Sequence, residues 1–234
     1  MEFPPHPALP SLRLAVAADI DRLAEVTVAG FNSTARFLSE RPGYKNFPED
    51  TLASFANLFR AQLLDPQMVV IVAEDSPSAA KGSVGSSSSA NGPVVVGVAS
   101  WRFPEASLRH GQFVELNVGA PRTAPNRDLN QQRADIYSRV LGETEKKYFT
   151  GRVICDKLVV HPSYRRRGHA TSMLKWGQRL CDQDGIDQGV IPSQISEQVY
   201  LGLGYVRIGE MHVPGDNEAQ GFTQIVTMYS AQRR

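Results

Sequence analysis

Cysteine is scarce. The 234 residues contain only Cys155 and Cys181, too few for a disulfide framework or for a zinc site built from several closely spaced thiol and imidazole ligands. Both lie in apolar runs, where a free cysteine behaves as a small core residue. Long hydrophobic runs are also missing: none approaches the ~20 residues that a membrane-spanning helix needs. The amino-terminal stretch MEFPPHPALPSLRL carries Pro4, Pro5, Pro7 and Pro10 where a signal peptide would need an unbroken apolar helix, so a cytoplasmic protein without a membrane partner is expected. Neither sign of charge dominates. Lys and Arg total 25 against 24 Asp and Glu, and a net charge of +1 supplies no global attraction to nucleic acid. No internal repeat is visible. What remains, 41% hydrophobic and 21% charged residues, is the composition of a globular protein with a true core.

Hydrophobic periodicity orders the elements. Leu12 to Val16 reads as a short strand and Ala18 to Phe31 as an amphipathic helix with Asp19 as its cap. Arg36 to Pro48, punctuated by Pro42, Gly43 and Pro48, is a loop or broken helix; Glu49 to Leu64 resumes helical spacing. Met68 to Glu74 and Val94 to Phe103 are β-branched strands. The Ser- and Gly-rich stretch between them, 76–93, has nothing to bury and reads as a disordered hairpin loop. An insertion, 104–151, contains a helix from Asn126 to Phe149 that Gly142 should interrupt. Then follow a strand at Val153 to Val160, the clearest helix of the chain at His169 to Gln183, a strand at Gly189 to Pro192 and a short helix at Glu197 to Leu203. Two last strands, Tyr205 to Val213 and Phe222 to Ser230, flank PGDNEAQG and should pair antiparallel. The whole is a Pro-rich lead, 1–11, and one mixed α/β domain, 12–234.

Chemistry concentrates between Leu158 and Ala170. An apolar strand stops at Pro162, a polar turn follows, and a strong helix begins near Gly168. Unpaired N–H groups and the dipole make such a helix start attractive to anions, and a glycine lets the backbone approach a phosphate closely. Arg165, Arg166 and Arg167 place three cations where a helix prefers acids; a polyanionic ligand would remove that penalty, and a merely solvated basic loop is the alternative.

Arg165-x-x-Gly168-x-Ala170, after the strand Leu158-Val159-Val160 and Pro162, is similar to the Q/R-x-x-G-x-G/A signature of the GCN5-related N-acetyltransferase (GNAT) superfamily. The stretch from Ser193 to Tyr205, with Tyr200 and Gly204-Tyr205, resembles that family's closing element, and the closing half looks most like fungal members. The resemblance implies a GNAT fold: a mixed, mostly antiparallel sheet of about seven strands with splayed strands 4 and 5 and helices on both faces. It implies acetyl-CoA as co-substrate, contacted by Leu158, Val159 and Val160, by the turn of Arg165, Arg166, Arg167, Gly168, His169, Ala170 and Thr171, and by Ser193, which serves equally well as a turn hydroxyl. It implies Tyr200 as the proton donor to the departing CoA thiolate, a half-buried structural tyrosine being the alternative.

On the acceptor side, Asp156 sits in an apolar strand where relatives place a histidine or an acid. It is a candidate general base, a candidate site for a cationic acceptor, or the partner of Lys157. His161 reads as a residue that positions the turn, while His110 and Glu115 are candidates for the border of the acceptor pocket; Trp101 could line it too, but reads more readily as core. The insertion could roof that pocket. The expected activity is acetyl transfer to the primary amine of a small molecule, by a monomer or homodimer without a metal. Modification of a protein or peptide amino group, and a CoA-binding module without turnover, are the alternatives.

Overall fold

β-Branched runs form the strands where the chain reads Leu12–Leu14 (β1), Met68–Asp75 (β2), Val94–Arg102 (β3), Val153–Val160 (β4), Gln188–Val190 (β5), Val206–Val213 (β6) and Phe222–Tyr229 (β7). The computed structural model describes residues 12–77 and 92–232; the Pro-rich lead and most of the expected 76–93 loop lie outside the described residues. The strands make one seven-stranded sheet in the order β1-β2-β3-β4-β5-β7-β6. Only β4 and β5 run parallel; every other neighbouring pair is antiparallel, including β6 with β7.

Helices cover both faces. On one, α1 (Ile20–Phe31) and α3 (Pro48–Leu64) bury Leu23, Val26 and Phe59 against Val70, Val72 and Val98. On the other, α5 (His169–Asp184) buries Met173, Trp176 and Leu180 against Trp101, Val153 and Cys155. Each such large apolar side chain, removed from water, contributes about 1.5–3 kcal/mol. Of the remaining helices, α4 (Gln131–Tyr148) packs on β6 and α2 (Ala35–Glu40) packs on α4, while α6 (Glu197–Leu201) follows β5. Both cysteines are free and buried, as their apolar context implied.

Of the two readings of Arg36 to Pro48 the broken helix holds, because Thr34 accepts the N–H of Phe37 and caps α2. Two local expectations change. Asp19 does not cap α1; its carboxylate accepts the N–H of Val16 at 2.9 Å and pairs with Arg13 at 2.7 Å, closing the 3-10 turn before the helix. Gly142 does not interrupt α4, whose buried Tyr137 and Thr144 bracket it on one continuous helix. A mid-helix glycine costs only ~1 kcal/mol relative to alanine, which packing readily outweighs.

Two helical glycines should therefore answer to alanine with opposite signs. A Cβ at Gly142 would meet nothing within 4 Å, whereas one at Gly177 in α5 would lie 2.5 Å from the Trp101 ring. Gly142→Ala should stabilise the protein by about 0.5–1 kcal/mol and Gly177→Ala should destabilise it by about 1–3 kcal/mol, as read by denaturant midpoints.

Candidate active site

β4 and β5 pair only at Val153–Gln188 and Ile154–Gly189. Beyond Ile154 they part, because β5 is drawn to its other neighbour. Val190 pairs with Thr227, whose hydroxyl also donates to the Val190 carbonyl at 3.2 Å, and the Gln224 amide donates to the Pro192 carbonyl at 3.0 Å. At the base of the opening a Cβ on Gly189 would fall 2.3 Å from Phe149, so the strand can close onto that ring only as glycine. β4 meanwhile stays on β3 as far as the Val160–Gly97 pair. The edge of β4 from Cys155 to Val160 thus faces a widening gap rather than a strand.

Asp156 stands at the head of that gap. Ser100 pairs with Lys157 and Trp101 with Cys155, so Asp156 is the extra residue of a β-bulge. The kink brings consecutive side chains together: Lys157 Nζ donates to Asp156 Oδ2 at 2.5 Å, Gln62 Nε2 at 2.6 Å and Ser100 Oγ at 3.4 Å. Burial pushes the carboxyl pKa up, but the Lys157 ion pair, the Gln62 hydrogen bond and nearby Arg36 outweigh it and hold the pKa below its ordinary value. The side chain remains 30% exposed, reachable from the gap.

At the far end of β4 the chain turns through a 3-10 segment, Pro162–Tyr164, where His161 Nδ1 accepts the Ser163 N–H at 3.3 Å; this residue positions the turn, as expected. Arg166 (φ 65°) and Gly168 (φ 88°) both take left-handed conformations. No side chain caps α5, and a Cβ built on Gly168 would meet nothing within 4 Å. The first N–H groups of the helix thus have no side-chain cap, which leaves them available to an anion.

The three arginines are not equivalent. Arg165 folds back, donating to the Val160 carbonyl at 3.3 Å and to the Gly30 carbonyl at 2.9 Å, where it closes the end of α1. Arg167 lies over the Tyr164 ring and pairs with Asp75 at 3.1 Å. Arg166 alone is exposed with no partner among the described residues. His169 is buried and sets Nε2 3.1 Å from the same Asp75; burial lowers its pKa although Asp75 opposes the shift. Ala170 and Thr171 follow, half-buried, in the first turn of α5. Asp75 was invisible in the sequence reading, since nothing marks a strand-terminal carboxylate as the partner of a turn some ninety residues away.

The gap opens into a cavity of about 280 Å³. Asp156, Leu158, Ser193 and Tyr200 line it, with Arg36 from α2, Phe55 from α3, Tyr137 and Glu145 from α4, and Gln224 from β7. α4 therefore contributes a wall, the part the insertion was expected to play. Ser193 Oγ meets Ser196 Oγ at 3.0 Å. Tyr200 is 3% exposed, packs edge-on against Tyr205, and places its hydroxyl 3.9 Å from Cys155 Sγ. Burial raises its phenol well above the usual range and pushes the Cys155 thiol up to about 12. Val159 and Val160 turn into the two cores on opposite faces of the sheet and do not line the cavity.

His110, Glu115 and Trp101 do not border the cavity. His110 is exposed, Glu115 is tied by its N–H to the Leu63 carbonyl at 2.8 Å, and Trp101 is fully buried against Trp176. The residues missed were Arg36, Phe55, Tyr137 and Gln224, which reach the cavity from separate elements and form no local motif.

A sheet splayed between its fourth and fifth strands, with an uncapped helix start beyond the fourth, defines the fold of the N-acetyltransferases. The chain is 50% identical over 232 residues to a protein of Stachybotrys chartarum named acetyltransferase, covering 99% of this chain and 96% of the relative. The chain belongs to the same acetyltransferase family as that relative, and its fold is that of the GNAT acetyltransferases. No family model matches it. A crystal structure from Corynebacterium glutamicum, named histone acetyltransferase HPA2 and related acetyltransferase, superimposes with a TM-score of 0.60 at 18% identity, covering 96% of this chain and 98% of its own. A GNAT superfamily phosphinothricin acetyltransferase from Sinorhizobium meliloti, solved in complex with acetyl-CoA, gives 0.52 at 17% identity, covering 95% and 88%.

The left-handed Gly168 supplies a direct check on the turn. Gly168→Ala should destabilise the protein by about 1–2 kcal/mol, from backbone strain alone because the Cβ has room, measured by chemical denaturation.

Proposed function

We propose that the protein transfers the acetyl group of acetyl-CoA to the amine of a small molecule by direct attack in a ternary complex. One observation carries this reading: an uncapped helix start opened by Gly168 lies just beyond a strand whose unpaired backbone edge leads into a cavity. A diphosphate fits the first, an extended pantetheine arm the second, and an acceptor the third. The N–H groups from Gly168 to Thr171 and the exposed Arg166 would hold the diphosphate, with Arg165 and Arg167 keeping the turn in shape. Leu158, Val159 and Val160 would present main chain to the arm, and Ser193 lies across the gap from them. The S. meliloti neighbour, which holds acetyl-CoA, supports the assignment.

In the reaction the amine nitrogen attacks the thioester carbon, the C–S bond breaks, and the sulfur leaves with the bonding electron pair. The neutral product amide requires the amine to lose a proton, and the released thiolate must gain one. Tyr200, protonated at every working pH, donates a hydrogen bond to the developing sulfur charge inside a water-poor wall, where such a donor is most effective. Asp156, held ionised by Lys157, attracts the incoming ammonium and orients the amine and the water that takes its proton. Its lowered pKa makes it a weak proton store. The role is electrostatic.

Calorimetry should show binding of CoA and acetyl-CoA, and an amine panel should release CoA thiol; absence of both would remove the proposal. Tyr200→Phe should lower kcat about 100-fold while leaving CoA affinity nearly unchanged, and full activity would take Tyr200 out of the mechanism. Because Asp156 stays ionised above its lowered pKa, it should add no inflection between about pH 6 and 9. Asp156→Asn should then reduce kcat/KM by about tenfold without displacing the acidic limb, which follows the amine. A displaced limb would restore the general base.

A further inference from the structure

The turn from Arg165 to His169 holds a backbone conformation that its own residues do not favour. Among the described residues, Arg166 and Asn126 alone of the non-glycine residues have a positive φ; Arg166 stands at 65°, and Gly168 follows at 88°. A left-handed residue that carries a Cβ is unfavourable, and it persists only where contacts on both sides over-determine it. On the β4 side, Arg165 supplies those contacts through the Val160 and Gly30 carbonyls. On the α5 side they come from outside the turn. Val69, Ile71 and Ala73 of β2 enter the core beneath α5, and the same alternation turns Asp75, the last residue of β2, toward the start of that helix. Its Oδ2 accepts from Arg167 Nη1 and His169 Nε2, both at 3.1 Å, while Oδ1 accepts the Ser76 N–H at 2.7 Å. One carboxylate thus grips the residues on either side of Gly168.

His169 has no alternative to this grip. Its ring is buried, and Nδ1 is shut off from solvent with no partner among the described residues, so the hydrogen bonding of the ring goes to Asp75. Asp75 is ionised to receive both neighbours: burial pushes its pKa up, but the Ser76 N–H, Arg167 and His169 together hold it below the ordinary carboxylate value.

We propose that Asp75 is a positioning residue for cofactor binding: by fixing Arg167 and His169 it holds Arg166 left-handed and keeps the first N–H groups of α5 directed at the diphosphate. This rests on the reading of that turn as the diphosphate site of acetyl-CoA, and it gives β2, remote in sequence, a part in the site. Charge alone argues the other way. A carboxylate repels a nearby anion, and removing Asp75 would also release Arg167 toward the diphosphate. Positioning and repulsion therefore predict opposite signs for the same substitution.

Acetyl-CoA affinity, measured by calorimetry on folded protein, should fall about tenfold in Asp75→Ala, the factor to which the strain of one left-handed non-glycine residue corresponds. Asp75→Asn, which keeps the shape of the side chain and one acceptor oxygen, should lose about threefold and carries the test if the alanine variant fails to fold. Unchanged or tighter binding in the folded variant would overturn the proposal, and so would a loss of thermal stability with affinity intact. The source of the effect is read in a second background. Arg166→Asn places at 166 a residue that tolerates the left-handed region, so adding Asp75→Ala there should cost about threefold or less. An undiminished loss would overturn the holding of Arg166 as the means by which Asp75 acts. Failure of the unaltered protein to bind acetyl-CoA at all is a different result, which would remove the diphosphate reading and this proposal with it.

Discussion

Two strands that part after two paired residues leave a row of backbone donors and acceptors with nothing to bond, and such groups are costly to bury. In this protein the divergence of β4 from β5 is enforced from outside the gap. Gln224 and Thr227 draw β5 toward β7, while β3 retains β4 over its whole length. Gly189 allows the Phe149 ring to plug the base. The unpaired edge, the cavity beside it and the helix start beyond it all follow from that separation. A molecule with an extended amide-bearing arm joined to a diphosphate satisfies the edge and the helix start together.

The acceptor wall is assembled by long-range ion pairs rather than by sequence neighbours. Arg41 and Thr51 both meet buried Asp128, which ties the insertion to α2 and α3. Arg127 grips Asp50, and Arg133 on α4 holds Asp216 and Glu218 of the β6–β7 connection together with the Ser39 carbonyl. These contacts join the walls at their rims. Pairs with one buried member are costly to break singly, so they set the relative placement of α2, α4 and the β6–β7 connection more firmly than exposed pairs would.

Local signals in the chain told most about the nucleotide half. The strand ending at Pro162, the glycine at the helix start and the helical spacing of α5 are all short-range features, and their placement followed the expectation closely. The arginine triplet showed the limit: three like residues in a row carry no mark of which one folds back to Gly30, which meets Asp75 and which stays in solvent. The acceptor half was largely illegible. Its lining comes from α2, α3, α4, β5 and β7, brought together only by tertiary packing, so His110 and Glu115 were drawn toward the cavity on proximity in sequence alone, while Trp101 took the core place its apolar strand favoured. Asp156 was conspicuous because a carboxylate interrupts an apolar strand, but the alternation that would have revealed the bulge cannot be read without knowing which core each neighbour enters.

That alternation has a consequence for how the chain can change. Before Asp156, Val153 and Cys155 enter the core beneath α5; after it, Leu158 and Val160 enter that same core, while Val159 enters the one beneath α1 and α3. The strand thus switches from odd to even parity at a single surplus residue. For the packing of the strand the identity of the side chain at 156 is open to exchange, but its existence is not. Shortening the chain there by one would turn every apolar group on one side of the cut to the wrong layer, carrying the nucleotide turn out of register with the acceptor wall. Length at this point is fixed by the architecture, independently of what the carboxylate does in the reaction.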